Sequence, residues 1–347
     1  MSLLSLDYMG NYNRLDTERM YEQIVSLPEQ IKTTYNQPES EVAQYYKNIN
    51  KVVICGMGGS AIAGDITKSL FEKKVPIWVV KDYYIPDFVD DTTLGIVCSY
   101  SGNTEETVAC FEALQRQGAQ IAIVTSGGIL RHYADEGYLI KLIPTGYQPR
   151  AAIGYLFFAI VKILEELNLI ENQNTIVKLV MLNIQNKLNL IKREVELSEN
   201  LAKQIATKLY KKIPVIYSFS PQFYPVAYRF KSQFNENAKN HAFCHTFSEM
   251  NHNEIEGWET EHMNTLIPLF IQDFHEEDRY HKRVRTLQDI FKKQKIEFIE
   301  IYIDGKSLMD KMFTSILLGD MISYYLAILN KVNPSEINYI TYLKKNI

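Results

Sequence analysis

Val52-Val53-Ile54-Cys55-Gly56-Met57-Gly58-Gly59-Ser60-Ala61 is the stretch on which the fold turns. Its first four residues are apolar without interruption and stop at a glycine. A short unbroken apolar run of this kind reads as a strand buried on both faces, as in a parallel sheet. From Ser60 to Phe71 the pattern changes: Ile62, Ile66 and Leu70 recur every fourth residue, one face of a helix. Further along, Ile77-Trp78-Val79-Val80 reads as a second strand and Leu94–Cys98 as a third. Glu105–Gln117 is helical and closes at Gly118, Ile121–Val124 is a fourth strand and Leu139–Leu142 a fifth. Strand and helix in regular alternation predict an α/β architecture, a doubly wound and mainly parallel sheet with helices on both faces.

The alternation pauses and then restarts. Ala151–Leu167 is a strongly apolar helix after Pro149-Arg150, and Glu171-Asn172-Gln173-Asn174 reads as an inter-domain linker. Helical pattern runs from Thr175 to Leu209, with Ile191, Val195, Ala202, Ile205 and Leu209 at spacings of three, four and seven. Pro214–Ser218 is then a strand, Tyr224–Lys239 a helix, Asn264–Ile271 contains a strand, and Glu276–Lys293 is a helix. Ile296–Ile303 follows as a strand and Ser307–Leu329 as a long helix, with a last helix starting near Pro334-Ser335-Glu336. Two domains are expected, residues 1–170 and 171–347. The halves show no close sequence repeat, so any kinship between them is architectural.

Composition narrows the class. Of 347 residues, 46% are hydrophobic and 22% charged, which is ordinary globular material. A net charge of −4 gives no basic excess for nucleic acid or an anionic membrane, and neither is expected as a partner. Cys55, Cys98, Cys110 and Cys244 sit in apolar surroundings without a CxxC pair, as small core hydrophobes in a reducing cytoplasm. Met1–Arg14 has no basic segment followed by an apolar one, so no signal peptide is expected. The apolar runs Ile153–Leu164 and Ser315–Leu329 are interrupted by polar residues and read as too short to span a bilayer.

Two segments of the first half carry chemistry. Gly56–Ala61 lies between a strand and a helix, where free N–H groups and the helix dipole attract an anion and glycines let it come close. The same residues fit a loose dinucleotide fingerprint, with Asp82 as ribose acid, or a turn needed only for tight packing. Ser99-Tyr100-Ser101-Gly102-Asn103-Thr104-Glu105-Glu106-Thr107 again joins a strand to a helix and brings three hydroxyls together, which suits a phosphate monoester. Its plainer reading is an N-capping turn with Asn103 or Thr104 as cap. A nicotinamide-dependent oxidoreductase built on the first loop would leave the second unexplained. Together, GMGGSAIAGD and SYSGNTEET resemble the sugar isomerase (SIS) domain, which binds phosphosugars.

The second half supplies acid–base groups. Arg229-Phe230-Lys231-Ser232-Gln233-Phe234-Asn235-Glu236-Asn237-Ala238-Lys239 is either a solvated helix face with ordinary ion pairs or the carrier of a base. Glu249-Met250-Asn251-His252-Asn253-Glu254 follows it, a histidine among two amides and two acids. An aldose–ketose isomerase needs a carboxylate to move a proton between C2 and C1, a group to open the ring, and a cation for the enediolate. Glu236, His252 and Arg150 are of those types. Gln148–Ala152, Asn235–Lys239, Glu249–Glu254, Asn333-Pro334-Ser335 and Leu343-Lys344 are similar to the bifunctional phosphoglucose/phosphomannose isomerases over essentially the whole chain. The resemblance implies two doubly wound SIS domains and a homodimer acting on a sugar phosphate. It implies Glu236 as the base at C2, Arg150 near the enediolate and His252 in ring opening from the other subunit. Lys344 would assist at the ring or C1 oxygens, with Lys345 as the adjacent alternative. Gly58, Gly59, Ser60, Ser99, Ser101 and Thr104 would hold the phosphate. The family usually has threonine where Ser335 stands, a change that bears on tolerance for the mannose epimer. A phosphosugar sensor without catalysis is the other reading, but it would need no base. No cofactor or metal is expected; His241 and His245 are four apart, which suits zinc on a helix and fails on a strand.

Overall fold

The computed structural model describes residues 5–259, 265–273 and 278–346. The chain forms two compact units, residues 26–181 and residues 1–25 with 182–347. The division differs from the expected 1–170 and 171–347. The N-terminal helices α1 (Met9–Leu15) and α2 (Met20–Val25) belong with the C-terminal residues, because Tyr12 and Tyr21 are buried there against Tyr324 and Tyr325.

The unit of residues 26–181 begins with α3 (Leu27–Tyr35), followed by β1 (Lys51–Cys55), α4 (Gly58–Phe71), β2 (Ile77–Val80) and β3 (Thr93–Ser99). Then come α5 (Glu105–Arg116), β4 (Gln120–Thr125), a short α6 (Gly128–His132), β5 (Leu139–Leu142) and α7 (Ile153–Glu166). The five strands form one parallel sheet in the order β2-β1-β3-β4-β5. Register sets Ile54 between Val79 and Ile96, and all three residues of that row are apolar. Val53, Cys55, Val97, Cys110, Phe111, Leu114, Ile121 and Ile123 share one core. A fully buried Val or Ile is worth roughly 1.5–3 kcal/mol of transfer free energy, which favours apolar residues along the central strands; Lys141 in the edge strand β5 is the exception, buried in an ion pair with Glu166. Glu171–Gln173 does not join the two units. It is the short turn between α7 and α8 (Asn174–Ile191), where Gln173 N–H donates to the Glu165 carboxylate at 2.7 Å; the division falls inside α8.

In the other unit, the helix expected from Thr175 to Leu209 is broken between α8 and α9 (Leu201–Leu209). Asn200 is the reason. Its side chain accepts from Lys203 N–H at 3.1 Å as an N-cap and donates to Lys192 O at 3.0 Å, closing the break on itself. The sheet contains β6 (Ile213–Ser218), and α10 (Tyr224–Glu236) leads to β7 (Phe243–Thr246) and a single turn, α11 (Phe247–Met250). β8 (Leu266–Asp273), α12 (Asp278–Lys293), β9 (Ile299–Ile303), α13 (Leu308–Asn330) and α14 (Asn338–Lys345) complete it. The strands are parallel in the order β7-β6-β8-β9. Of the expected strand and helix starts, Asn264 and Glu276 lie outside the described residues.

One expectation changes here. α13 is, at 23 residues, long and apolar enough to cross a membrane by length and composition, contrary to the reading of that run as too short. It is buried along nearly its whole length, packed by α2, α9 and α10. A helix apolar all round is the centre of a core. His245 lies on β7 beside Tyr217 of β6. His241 precedes that strand, so the pair is not on a helix, the geometry in which a four-residue spacing brings two ligands to one face. Among the described residues, no group of three or more His, Cys, Asp or Glu is placed to hold a metal.

Candidate active site

The first sheet reverses its winding between β1 and β3, neighbours in the sheet whose following helices leave in different directions. Ligands of open α/β sheets bind at such a switch point, outside the carboxyl ends of the strands. Both loops singled out in the sequence emerge there. After β1, Gly58 takes φ +51°, in the left-handed region that glycine occupies without strain. Gly59 serves a second purpose. A Cβ there would lie 2.9 Å from Pro149 O and 3.2 Å from Arg150 Cα, so the glycine lets the Pro149–Ala151 turn rest on the start of α4. Met57 is the N-cap residue of α4 but its side chain makes no cap bond, leaving the first-turn N–H groups without a side-chain acceptor. Ser60 is buried at the junction of the loops, its Oγ accepting from Tyr100 N–H at 3.4 Å.

The loop after β3 is braced from within. Ser99 Oγ is 3.0 Å from Thr104 Oγ1 and accepts from Gly102 N–H at 3.1 Å. Ser101 Oγ accepts from Asn103 N–H at 3.3 Å. Ser99 is buried, Ser101 exposed and Thr104 half-buried. The capping reading named Asn103 or Thr104. Thr104 is the N-cap residue by backbone, yet neither side chain caps α5: Thr104 bonds Ser99, and Asn103 Oδ1 accepts from Ile129 N–H at 2.8 Å. Two helix N-termini without side-chain caps therefore stand at one switch point, the arrangement that attracts a phosphate. Glu105 and Glu106, also in the first turn of α5, add negative charge beside it. Burial pushes the Cys98 thiol beneath these loops up to about 12, in keeping with its reading as a core hydrophobe.

A third loop was missed in the sequence. Ser126 Oγ and N–H donate to Tyr100 O at 2.6 and 3.0 Å, and Leu130 N–H donates to Gly102 O at 3.2 Å. A Cβ on Gly102, whose φ is +69°, would lie 1.8 Å from Gly127 O. The available signal was Ser126-Gly127-Gly128, again directly after a strand. Tyr100 also reaches the next segment: its hydroxyl donates to Pro144 O at 3.0 Å and accepts from Tyr147 N–H at 2.8 Å. That segment carries Arg150, buried, its Nη1 donating to Gln148 Oε1 at 3.4 Å. From α3, fully buried Gln30 donates to Ala151 O at 2.9 Å and accepts from Gly154 N–H at 3.1 Å, fixing the turn. Gly58, Gly59, Ser60, Ser99, Ser101, Thr104 and Arg150 are thus brought together within one unit.

Glu236, His252 and Lys344 belong to the other unit, on three different elements. Glu236 is the last residue of α10 and half-buried. Arg229, for which a solvated face was one of two readings, is buried in a two-bond ion pair with Asp320. His252 is exposed in the turn after α11, where its N–H donates to Glu249 O at 3.0 Å. The neighbouring acids have other partners. Asn253 Nδ2 donates to Glu249 Oε1 at 3.0 Å, and Tyr217 OH donates to Glu254 Oε1 at 2.6 Å. Burial and then that carboxylate hold the Tyr217 hydroxyl well above the ordinary phenol range. Lys344 and Lys345 are both exposed in the last turn of α14, a helix with no buried residue.

Comparison with known proteins identifies the family. Residues 198–347 match the family model of the bacterial phospho-glucose isomerase C-terminal SIS domain. The bifunctional phosphoglucose/phosphomannose isomerase of Caldicellulosiruptor bescii is 37% identical over 336 residues, covering 94% of this chain and 98% of that one. The chain belongs to the bifunctional phosphoglucose/phosphomannose isomerase family. A D-glucosamine-6-phosphate 4-epimerase of Sulfolobus acidocaldarius is also similar, 30% identical over 301 residues, 86% of this chain and 90% of that one. The crystal structure of a hypothetical protein from Thermus thermophilus shares the fold, with a TM-score of 0.77 at 14% identity over 97% of this chain and 93% of that one.

Proposed function

We propose that this family member is an isomerase that interconverts glucose 6-phosphate, and mannose 6-phosphate, with fructose 6-phosphate. The observation that carries the reading is the pair of glycine and hydroxyl loops at the β1/β3 switch point, with helix starts free of side-chain caps and Arg150 against Gly59. The phosphate docks on those loops, and its binding energy holds the open-chain sugar for reaction. Glu236 takes the C2 proton and returns it at C1 through a cis-enediol, and Arg150 offsets charge as the enediolate forms. His252 assists ring opening from the second subunit of a homodimer, and Lys344 assists at the ring or C1 oxygens. Glucose and mannose phosphates share one enediol, so a single site serves both when C2 is protonated from either face. The test is proton NMR of fructose 6-phosphate with the protein in deuterated water. The expected result is both aldose phosphates carrying deuterium at C2. Release of neither aldose, with a rise in melting temperature on adding the sugar phosphate, would leave a binding protein and refute the isomerase reading.

A further inference from the structure

The proposed base ends a helix whose buried face, otherwise apolar, carries a polar stripe. Arg229 and Gln233 on α10, with Asn237 just past its end, stand four residues apart, one above the other. Arg229 Nε and Nη2 donate to Asp320 Oδ1 and Oδ2 of α13 at 3.1 and 2.6 Å. Gln233 Nε2 donates to the same Oδ1 at 2.8 Å. Asn237 Nδ2 donates to Ser323 Oγ at 2.9 Å, and that hydroxyl donates to Asp320 O at 2.7 Å. All five residues are buried. The Phe230 ring packs directly on the α13 backbone: a Cβ on Gly319 would lie 2.3 Å from it.

Replacing a buried ion pair by well-packed apolar residues is often neutral or stabilising, so such a pair is weak evidence of stability and better explained by specificity of geometry. Apolar contact lets one helix slide along or roll over another within a few tenths of an ångström; a two-bond guanidinium–carboxylate pair with a third donor does not. Glu236 lies two turns beyond Arg229, at the margin of this buried stripe, and directly precedes Asn237. The far end of α10 is tied as well, since Lys239 Nζ donates to Glu236 O at 2.9 Å and to Asn333 O at 2.5 Å. We infer that the Arg229–Asp320 pair, with Gln233, Asn237 and Ser323, is a positioning device that sets the angle and depth of Glu236 for proton transfer. The inference rests on Glu236 being the base.

The test replaces the pair as a unit. Arg229→Met with Asp320→Leu removes both charges and keeps the volume filled. The device predicts a folded protein with KM for fructose 6-phosphate within about twofold, and kcat lower by about 10–100-fold, the loss expected of a base misplaced by an ångström. Deuterium at C2 of glucose 6-phosphate would then slow kcat more than in the wild type, because proton abstraction has become the slow step. Arg229→Lys, which keeps charge but gives up the planar fork, should recover part of the loss. An unchanged kcat in the folded double variant overturns the inference. Should the double variant not fold, Gln233→Met removes a single donor to Asp320, and a lower kcat at constant KM supports the inference while an unchanged kcat overturns it. Glu236→Gln is the control that separates the two readings. If it turns over normally, the base assignment has failed; if it is inactive while the seam variants are normal, only the positioning role has failed.

Discussion

The two parallel sheets follow the same path and use their switch points in opposite ways. Each opens on an inner strand, β1 or β6, crosses to an edge partner, and returns to the other side with β3 or β8. Beyond β1 the chain runs through three glycines and a serine, and beyond β3 through hydroxyl residues, leaving two helix starts without side-chain caps. Beyond β6 the corresponding stretch is Phe219-Ser220-Pro221-Gln222-Phe223. Its two phenylalanines are buried with ring centroids 5.0 Å apart, and prolines stand at the first turn and again at Pro225. β8 ends in Asp273, buried and paired with Lys311 Nζ at 2.5 Å. Packed rings and an Asp273–Lys311 ion pair thus stand where the first sheet has glycines and hydroxyls. On the proposed reading the first sheet's switch point takes the phosphate, while the second is lined by packed rings and is followed by the helix that ends in Glu236. Topology offers the site, and side chains decide whether it is taken.

The sharpest way to break this contrast is at Gly102. An alanine in its place would combine a positive φ with a Cβ 1.8 Å from Gly127 O, so Gly102→Ala must rebuild the loop. The expected loss is about 1–3 kcal/mol of stability, read by denaturant titration, together with the thermal shift caused by fructose 6-phosphate. A normal shift would show that the phosphate sits elsewhere. A middle-sized effect tests the shared site. Mixing and reassorting inactive His252→Ala and Glu236→Gln proteins should restore roughly a quarter of the wild-type rate if each site draws one residue from each subunit of a dimer. Continued inactivity would place both residues of a site on one chain. The smallest effect is expected in the closed sheet: Ser220→Ala should leave the thermal shift unchanged, and its loss would mean that the second switch point also binds the sugar.

The centre of the first sheet was legible because buried parallel strands such as β1 are written as unbroken apolar runs, and the edge strands β2 and β5 also begin and end where they were read. The two loops at the β1/β3 switch point were legible as strand-to-helix turns because glycines and hydroxyl residues interrupt the apolar runs there. Other features were hidden for physical reasons. α3 carries Gln30, whose value lies in bonds to residues more than a hundred positions away, which no local pattern reports. Arg229 looked solvated because charge alone does not reveal a buried partner ninety-one residues on. The break before α9 was read through because Asn200 interrupts an otherwise acceptable helical spacing, and its capping role shows only in its bond to Lys203. The loop at Ser126–Gly128 supports the cradle from outside the two motifs, so motif reading alone passed over it.

The most direct test of the division of labour is the Glu236→Gln protein, measured for both turnover and thermal shift with fructose 6-phosphate. If the loops after β1 and β3 bind the phosphate and Glu236 does the chemistry, turnover falls by about 10²–10⁴-fold, the usual worth of a general base, while the thermal shift stays near the wild-type value. Turnover close to wild type would contradict the account, because the proton would then be moved by another group.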